Sequence, residues 1–289
     1  MSGIVFVGPG RVGTALALAF QEAGYPVLGA VSRTGGSGSA TADRFTNLTK
    51  LPVLEWVDSR SLIEQADVVF LTVPDEAVTD VAQTIVRFGW VHEGQIVVHT
   101  AGAHASSILE AVEPTGARKL SLHPLQTIAD PATGPALFKG STFTAEGDEP
   151  AVAVAMQWVK ALGGIPVQLR AEDKPRYHAA AVMASNAVIA LLSVASDVAG
   201  LPTGVTAFLP LLQGALENLR KLGIPDALTG PIERGDTATV MKHLSVLKDN
   251  PTAHAVYVAL GRATVSLAVE KGSLSDAQRD AFERLFGID

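Results

Sequence analysis

Short, mostly apolar runs punctuate the first 170 residues and alternate with segments of helical periodicity. The runs are Ile4-Val5-Phe6-Val7, Val27-Leu28-Gly29-Ala30-Val31, residues 68–73, residues 96–99 and residues 120–122. Helix-length stretches at 14–23, 76–88 and 106–111 separate them. A strand that is apolar at every position has both faces buried, and strands of that kind alternating with helices predict a parallel sheet covered on both sides. Two shorter candidates, 141–145 and 165–169, flank a helix beginning near Glu149 and extend the sheet. From Lys174 onward the pattern turns helical. Asn250-Pro251 reads as an N-cap with proline at the first helical position, and Ser275 with Gln278 as a capping box. The expected organisation is an α/β domain over 1–170 and an all-helical domain over 171–289.

Composition leaves this picture in place and narrows the chemistry. At 289 residues and 47% hydrophobic, the chain can bury two cores. Twenty-two basic residues against 29 acidic ones leave a net charge of −7, which excludes a basic face for nucleic acid. The absence of cysteine removes disulfides, thiol catalysis and cysteine-ligated metals. The first strand begins about three residues into the chain, so a cytoplasmic protein without a leader is expected. Residues 179–196 carry no Asp, Glu, Lys or Arg over 18 positions. Their alanines, serines and Asn186 suit a buried helix or a subunit interface better than a membrane span, so a homodimer is expected.

The first turn carries the most informative motif. Gly8-Pro9-Gly10-Arg11-Val12-Gly13 follows the first apolar run and opens the first helix. Gly8 permits the tight turn, Gly10 admits a pyrophosphate to backbone N–H groups, and Gly13 lets helix and strand approach closely. With a second strand at βαβ distance, the first domain reads as Rossmann-like, a doubly wound parallel sheet. The second strand ends in Ser32-Arg33-Thr34, where an acidic residue would hold the ribose of NAD. A guanidinium with two hydroxyls suits a 2′-phosphate and points to NADP. The alternative is a solvated surface arginine.

In such a sheet ligands bind beyond the carboxyl ends of the strands, and a cleft between the two domains is expected. Thr72-Val73-Pro74-Asp75 and Thr100-Ala101-Gly102 would line the dinucleotide. His123 is the leading proton donor, against a histidine that merely bonds backbone at a strand end. His178, Val182, Ser185 and Asn186 fall on one helical stripe, which makes His178 a second acid and Asn186 a substrate ligand. An interhelical polar pair is the alternative. Arg234 would clamp a substrate carboxylate or else pair with Glu233 or Asp236. No histidine spacing resembles a metal site, and no serine-hydrolase elbow is present.

With these motifs in hand, the chain resembles a family of uncharacterised bacterial oxidoreductases that join a Rossmann-like domain to a helical domain of unknown function. The resemblance rests on GPGRVG at 8–13, LTVPD at 71–75, HTAG at 99–102, SLHPLQT at 121–127, YHAAAVMASN at 177–186 and LTGPIERGD at 228–236. The family is similar to ketopantoate reductase, pyrroline-carboxylate reductase and prephenate dehydrogenase. The His-Pro pair at 123–124 is similar to the prephenate dehydrogenase strand end, whose histidine contacts the substrate hydroxyl. The lysine and glutamate pair of ketopantoate reductase is not mapped onto this chain by these motifs. The resemblance implies an NADP-linked oxidoreductase acting on a small carbonyl or hydroxy acid, with a ketopantoate-like 2-oxo acid first. A non-catalytic dinucleotide sensor, an imino-acid reductase and a deazaflavin enzyme are the alternatives.

Overall fold

The computed structural model describes residues 3–32 and 39–287, and the chain forms two compact units, Met1–Val182 and Met183–Asp289. The first is built on an eight-stranded sheet of order β3-β2-β1-β4-β5-β6-β7-β8. Its strands are β1 Ile4–Val7, β2 Val27–Ser32, β3 Val53–Glu55, β4 Val68–Leu71, β5 Ile96–His99, β6 Arg118–Pro124, β7 Thr142–Gly147 and β8 Ile165–Gln168. Helices α1 Arg11–Glu22, α2 Ala40–Thr49, α3 Arg60–Glu64, α4 Val78–Arg87, α5 Gly134–Phe138 and α6 Glu149–Ala161 connect them, with a 3-10 segment over Ser106–Thr115. The unit includes all but the last two residues of α7, Lys174–Ala184, whereas the change in pattern suggested a junction at 170/171.

Pairing is parallel from β3 across to β6 and again between β7 and β8, but β7 runs antiparallel to β6. The sheet is thus parallel-dominated rather than uniformly parallel. The connection from β6 to β7 carries a 3-10 turn at Pro131–Thr133 and short α5, and β7 returns antiparallel beside β6. In that connection Gly134 meets α1 so closely that a Cβ there would lie 2.4 Å from the Cβ of Ala15.

Alternation along the strands sends two cores to opposite faces. Ile4, Phe6, Val68, Phe70, Ile96, Val98, Leu120 and Leu122 join residues of α1 and α6 on one face. Val5, Val7, Val69, Leu71 and Val97 join α4 and the 3-10 segment on the other. On this second face β5 continues with His99 instead of an apolar residue, and β6 carries Ser121 and His123.

The second unit holds α8 Asn186–Ala199, α9 Leu209–Leu222, α10 Thr237–Leu247, α11 Pro251–Glu270 and α12 Asp276–Phe286. Its core is Ile232, Val240, Val265, Ala268, Phe282 and Phe286. Asn250 caps α11 through Ala253 N–H, Asp236 caps α10 through Thr239 N–H, and Ser275 with Gln278 forms a full capping box on α12. α8 is apolar yet none of its residues is buried.

Candidate functional site

Backbone geometry builds the first part of the site. Gly8 has φ +104°, and a Cβ there would sit 2.7 Å from the Thr72 carbonyl oxygen. At Gly13 a Cβ would meet Thr72 Oγ1 at 2.4 Å and Gly8 O at 2.5 Å. Thr72 Oγ1 donates to Gly8 O at 2.7 Å, so β4 braces the turn from below. Gly10 instead faces open space, with only the Thr72 carbonyl oxygen within 4 Å of a Cβ built there. α1 starts from Gly10 with no side-chain cap and no acidic residue in its first turn. Its leading N–H groups and its positive dipole end therefore remain available to an anion. Exposed Arg11 adds a cation where the dipole alone would disfavour one. These residues fit the pyrophosphate of a dinucleotide.

The second part lies where β5, β6 and β7 place polar residues in register. His99 pairs with Ser121, and Ser121 with Glu146, forming one polar row across three strands. One step further, His123 pairs with Thr144 in a second row. Helix α7 supplies one side chain to each. Lys174 Nζ donates to Ser121 Oγ at 2.5 Å, and the Tyr177 hydroxyl lies 2.9 Å from His123 Nδ1. His178, next along the helix, stands edge-on to His123 with ring centroids 5.8 Å apart. Buried Gly102, in the loop after β5, fits beneath both imidazoles. A Cβ there would lie 2.4 Å from His178 Cδ2 and 2.8 Å from His123 Nε2.

Burial sets the charge states. His99 accepts from Ala101 N–H at Nδ1 and donates from Nε2 to the Ala105 carbonyl, each at 3.2 Å. One nitrogen accepting and one donating defines a neutral ring. Burial, then the Lys174 charge, pulls its pKa to about 3. Burial, followed by Lys174 and His178, pulls His123 to about 4, so this ring is also neutral at pH 7. Lys174 itself is fully buried, and burial lowers it to about 8 against the pull of Glu146 and Asp75. Glu146 accepts from Ser106 N–H at 2.6 Å and Ser106 Oγ at 2.9 Å, anchoring the 3-10 segment after β5. Burial raises Tyr177, with the Thr144 hydroxyl acting in the opposite sense, so its phenol stays protonated.

The structure brings together several residues expected from sequence. Gly8, Pro9, Gly10, Arg11, Val12 and Gly13 form the turn, braced by Thr72, with Val73, Pro74 and Asp75 following β4. Thr100, Ala101 and Gly102 follow β5, and Ala101 and Gly102 are buried against the histidines. His123 and His178 face each other, and Ser32 ends β2. Arg33 and Thr34 lie outside the described residues. The expected single stripe from His178 to Asn186 is interrupted, because Ser185 leaves helical geometry at φ −126° and ψ −80° and ends α7 before Asn186 begins α8. Ser185 Oγ lies 3.0 Å from Asn186 Oδ1. In the second unit Arg234 is exposed and its charge acts on Asp236, while Glu233 pairs with Lys271 at 3.0 Å.

Three participants have no role in the sequence reading: Lys174, Tyr177 and the His99–Ser121–Glu146 row. The available signal was the alternation Leu120-Ser121-Leu122-His123, which places two polar residues on one strand face. For α7, the spacing of Lys174, Tyr177 and His178 puts them on one helical face.

Comparisons with known proteins agree with this architecture. Residues 2–124 match the family model described as a Rossmann-like domain, and residues 141–264 match the domain of unknown function DUF2520. No curated protein matches the sequence. Among solved structures, a proposed NADP oxidoreductase of Bacteroides fragilis is 23% identical, with 91% of this chain and 97% of that chain covered and a TM-score of 0.70. An imine reductase of Myxococcus stipitatus in complex with NADP+ is 19% identical over 97% of this chain and 99% of that one, with a TM-score of 0.60. A pyrroline-5-carboxylate reductase of Coxiella burnetii is 17% identical over 98% and 97%, with a TM-score of 0.57. The two family models thus match successive parts of the chain, residues 2–124 and 141–264, and the chain is built on the fold these structures share.

Proposed function

We propose that the chain is an NADP-dependent reductase of a small carbonyl or imine substrate. The observation that carries this reading is the coincidence, at the carboxyl ends of the strands, of an anion-binding glycine turn after β1 and a pair formed by His123 at the end of β6 and Tyr177 of α7. When bound, NADPH supplies a hydride. The backbone at Gly8, Gly10 and Gly13 with the start of α1 binds its pyrophosphate, Arg33 and its neighbours Ser32 and Thr34 hold the 2′-phosphate, and residues 72–75 and 100–102 line the dinucleotide. NADP-bound relatives of the same fold support that cofactor.

Hydride addition leaves charge on the substrate oxygen or nitrogen, and the site must supply a proton there. His123 is held neutral, so it stores no spare proton at pH 7. It acts instead as a relay: Nε2–H donates to the substrate atom while Nδ1 takes the Tyr177 proton across 2.9 Å. Tyr177 then regains its proton from solvent, and the balance is one hydride and one proton per substrate. His178, beside the pair, orients the ring. Ketopantoate is the first carbonyl to assay and a cyclic imino acid the first imine, the latter because pyrroline-5-carboxylate and imine reductases share the fold.

We also read the protein as a soluble cytoplasmic homodimer. The stretch over Ala171–Ala199 and helix α11 are long and apolar enough to cross a membrane by length and composition. The first is broken at Ser185, and α8 leaves Ile189 71% exposed, a surface suited to a second copy. Light scattering in detergent-free buffer at twice the monomer mass is the expected result.

The test of function is a fluorescence titration with NADPH and NADH, followed by NADPH oxidation against the two substrate classes. Tight NADPH binding that Gly13→Ala abolishes and Arg33→Ala weakens, with turnover of either class, is the expected outcome. Tight binding without turnover of any carbonyl or imine would favour a dinucleotide sensor. Failure to bind either nucleotide overturns the reading and returns attention to a deazaflavin.

A further inference from the structure

Two hydrogen bonds tie α7 to β6, and their spacing follows from the two kinds of backbone. Ser121 and His123 are two apart on a strand and point to one face; Lys174 and Tyr177 are three apart on a helix and share one side. Three helical residues advance about 4.5 Å and two strand residues about 6.7 Å, a mismatch that the long lysine and tyrosine side chains absorb. A slip of α7 by one residue would turn its face by about 100° and carry Tyr177 away from His123.

Lys174 is an expensive way to fill this space. Its side chain is fully buried, and Ser121 Oγ is its hydrogen-bond partner among the described residues. Taking an ammonium out of water costs several kcal/mol in effective terms, and an apolar side chain of the same volume would avoid that cost. Such a group earns its place by specifying one arrangement over others.

We infer that Lys174 is a positioning residue whose bond to Ser121 holds α7 in the register that presents the Tyr177 hydroxyl to His123. The inference deepens the proposed function, since it concerns the pair assigned there to proton delivery, but its primary readout needs no substrate. The imidazole nitrogens of the full-length protein are followed by two-bond proton–nitrogen spectra, and Tyr177→Phe defines the part of the His123 Nδ1 shift due to the phenol. Lys174→Met and Ser121→Ala are expected to abolish that part, and Lys174→Arg to restore some of it. In steady state the first two should lower kcat by about 10²-fold while leaving the KM for NADPH unchanged. Should Lys174→Met not fold, Ser121→Ala removes the bond and keeps the charge. A folded Ser121→Ala protein with the wild-type Nδ1 shift overturns the inference. Wild-type protein that reduces no carbonyl or imine overturns the proposed function instead, and the spectra still decide the register.

Discussion

The Tyr177 hydroxyl and His123 Nδ1 lie 2.9 Å apart, one on a helix and one on a strand 54 residues earlier. The phenol fixes which nitrogen of a neutral imidazole is left to face the loop at Gly102. Tyr177→Phe keeps the ring and its packing and removes only this bond. Turnover should fall on the order of 10²-fold, the usual weight of a positioned proton donor, with NADPH affinity unchanged. Steady-state kinetics with a parallel NADPH titration checks both halves, and equal losses in the two would reassign Tyr177 to cofactor binding.

Gly102 tests the same pair from the other side. A methyl group there would lie 2.4 Å from His178 Cδ2 and 2.8 Å from His123 Nε2, so either the two rings or the loop that carries residue 102 must move. The cost is steric. Gly102→Ala should lower the melting temperature by the equivalent of about 1–3 kcal/mol of overpacking and should shift the imidazole resonances of both histidines. Turnover should fall more than stability does. An unshifted His123 resonance would mean that the loop after β5 yields and the rings do not.

Much of this was legible in the chain before the fold was known, and the reasons it was incomplete are physical. Central strands are apolar because both faces are covered, so β1 and β4, and β5 up to His99, stand out. β3 is a three-residue edge strand, half-buried, and has no such run. His123 was visible because a histidine before a proline at a strand end is conspicuous. Lys174 was not, since a charged residue at a change of pattern reads as surface, and its buried hydrogen-bond partner, Ser121, lies 53 residues away. The break at Ser185 was hidden because 177–186 is helical in composition throughout, and only the backbone shows where α7 stops.

The buried histidines predict acid sensitivity. His99 and His123 are held at about 3 and about 4, below the ordinary 6.5. Above 6.5 both folded and unfolded chains carry neutral rings, and the shift has no effect. Below 6.5 the unfolded chain binds protons that the folded chain refuses, so stability falls by about 1.4 kcal/mol per pH unit for each histidine until its folded pKa is reached. Chemical denaturation between pH 7 and 4.5 should show this loss, and His99→Asn should remove close to half of it if the variant folds. A flat profile would show that these rings titrate normally.

His92 predicts the opposite sign at the other end of the scale. It is exposed, its Nδ1 lies 2.9 Å from the Glu93 carbonyl oxygen, and its Nε2 lies 3.0 Å from that of Glu64, the last residue of α3. Carbonyl oxygens only accept, so both nitrogens donate together when the ring is an imidazolium. The bonds to the Glu93 and Glu64 carbonyls raise its pKa above 6.5, assisted by the Asp67 and Glu64 carboxylates and opposed by slight burial. A cation at the end of α3 also meets the negative pole of the helix. Because the folded pKa is the higher one, the stabilisation is complete below 6.5 and disappears as pH rises through the folded value. Melting temperatures of wild type and His92→Gln should therefore differ most near pH 6 and converge by about pH 9, once the ring is neutral in both states. A gap of constant size across that range would show that the imidazole acts through packing and not through its charge.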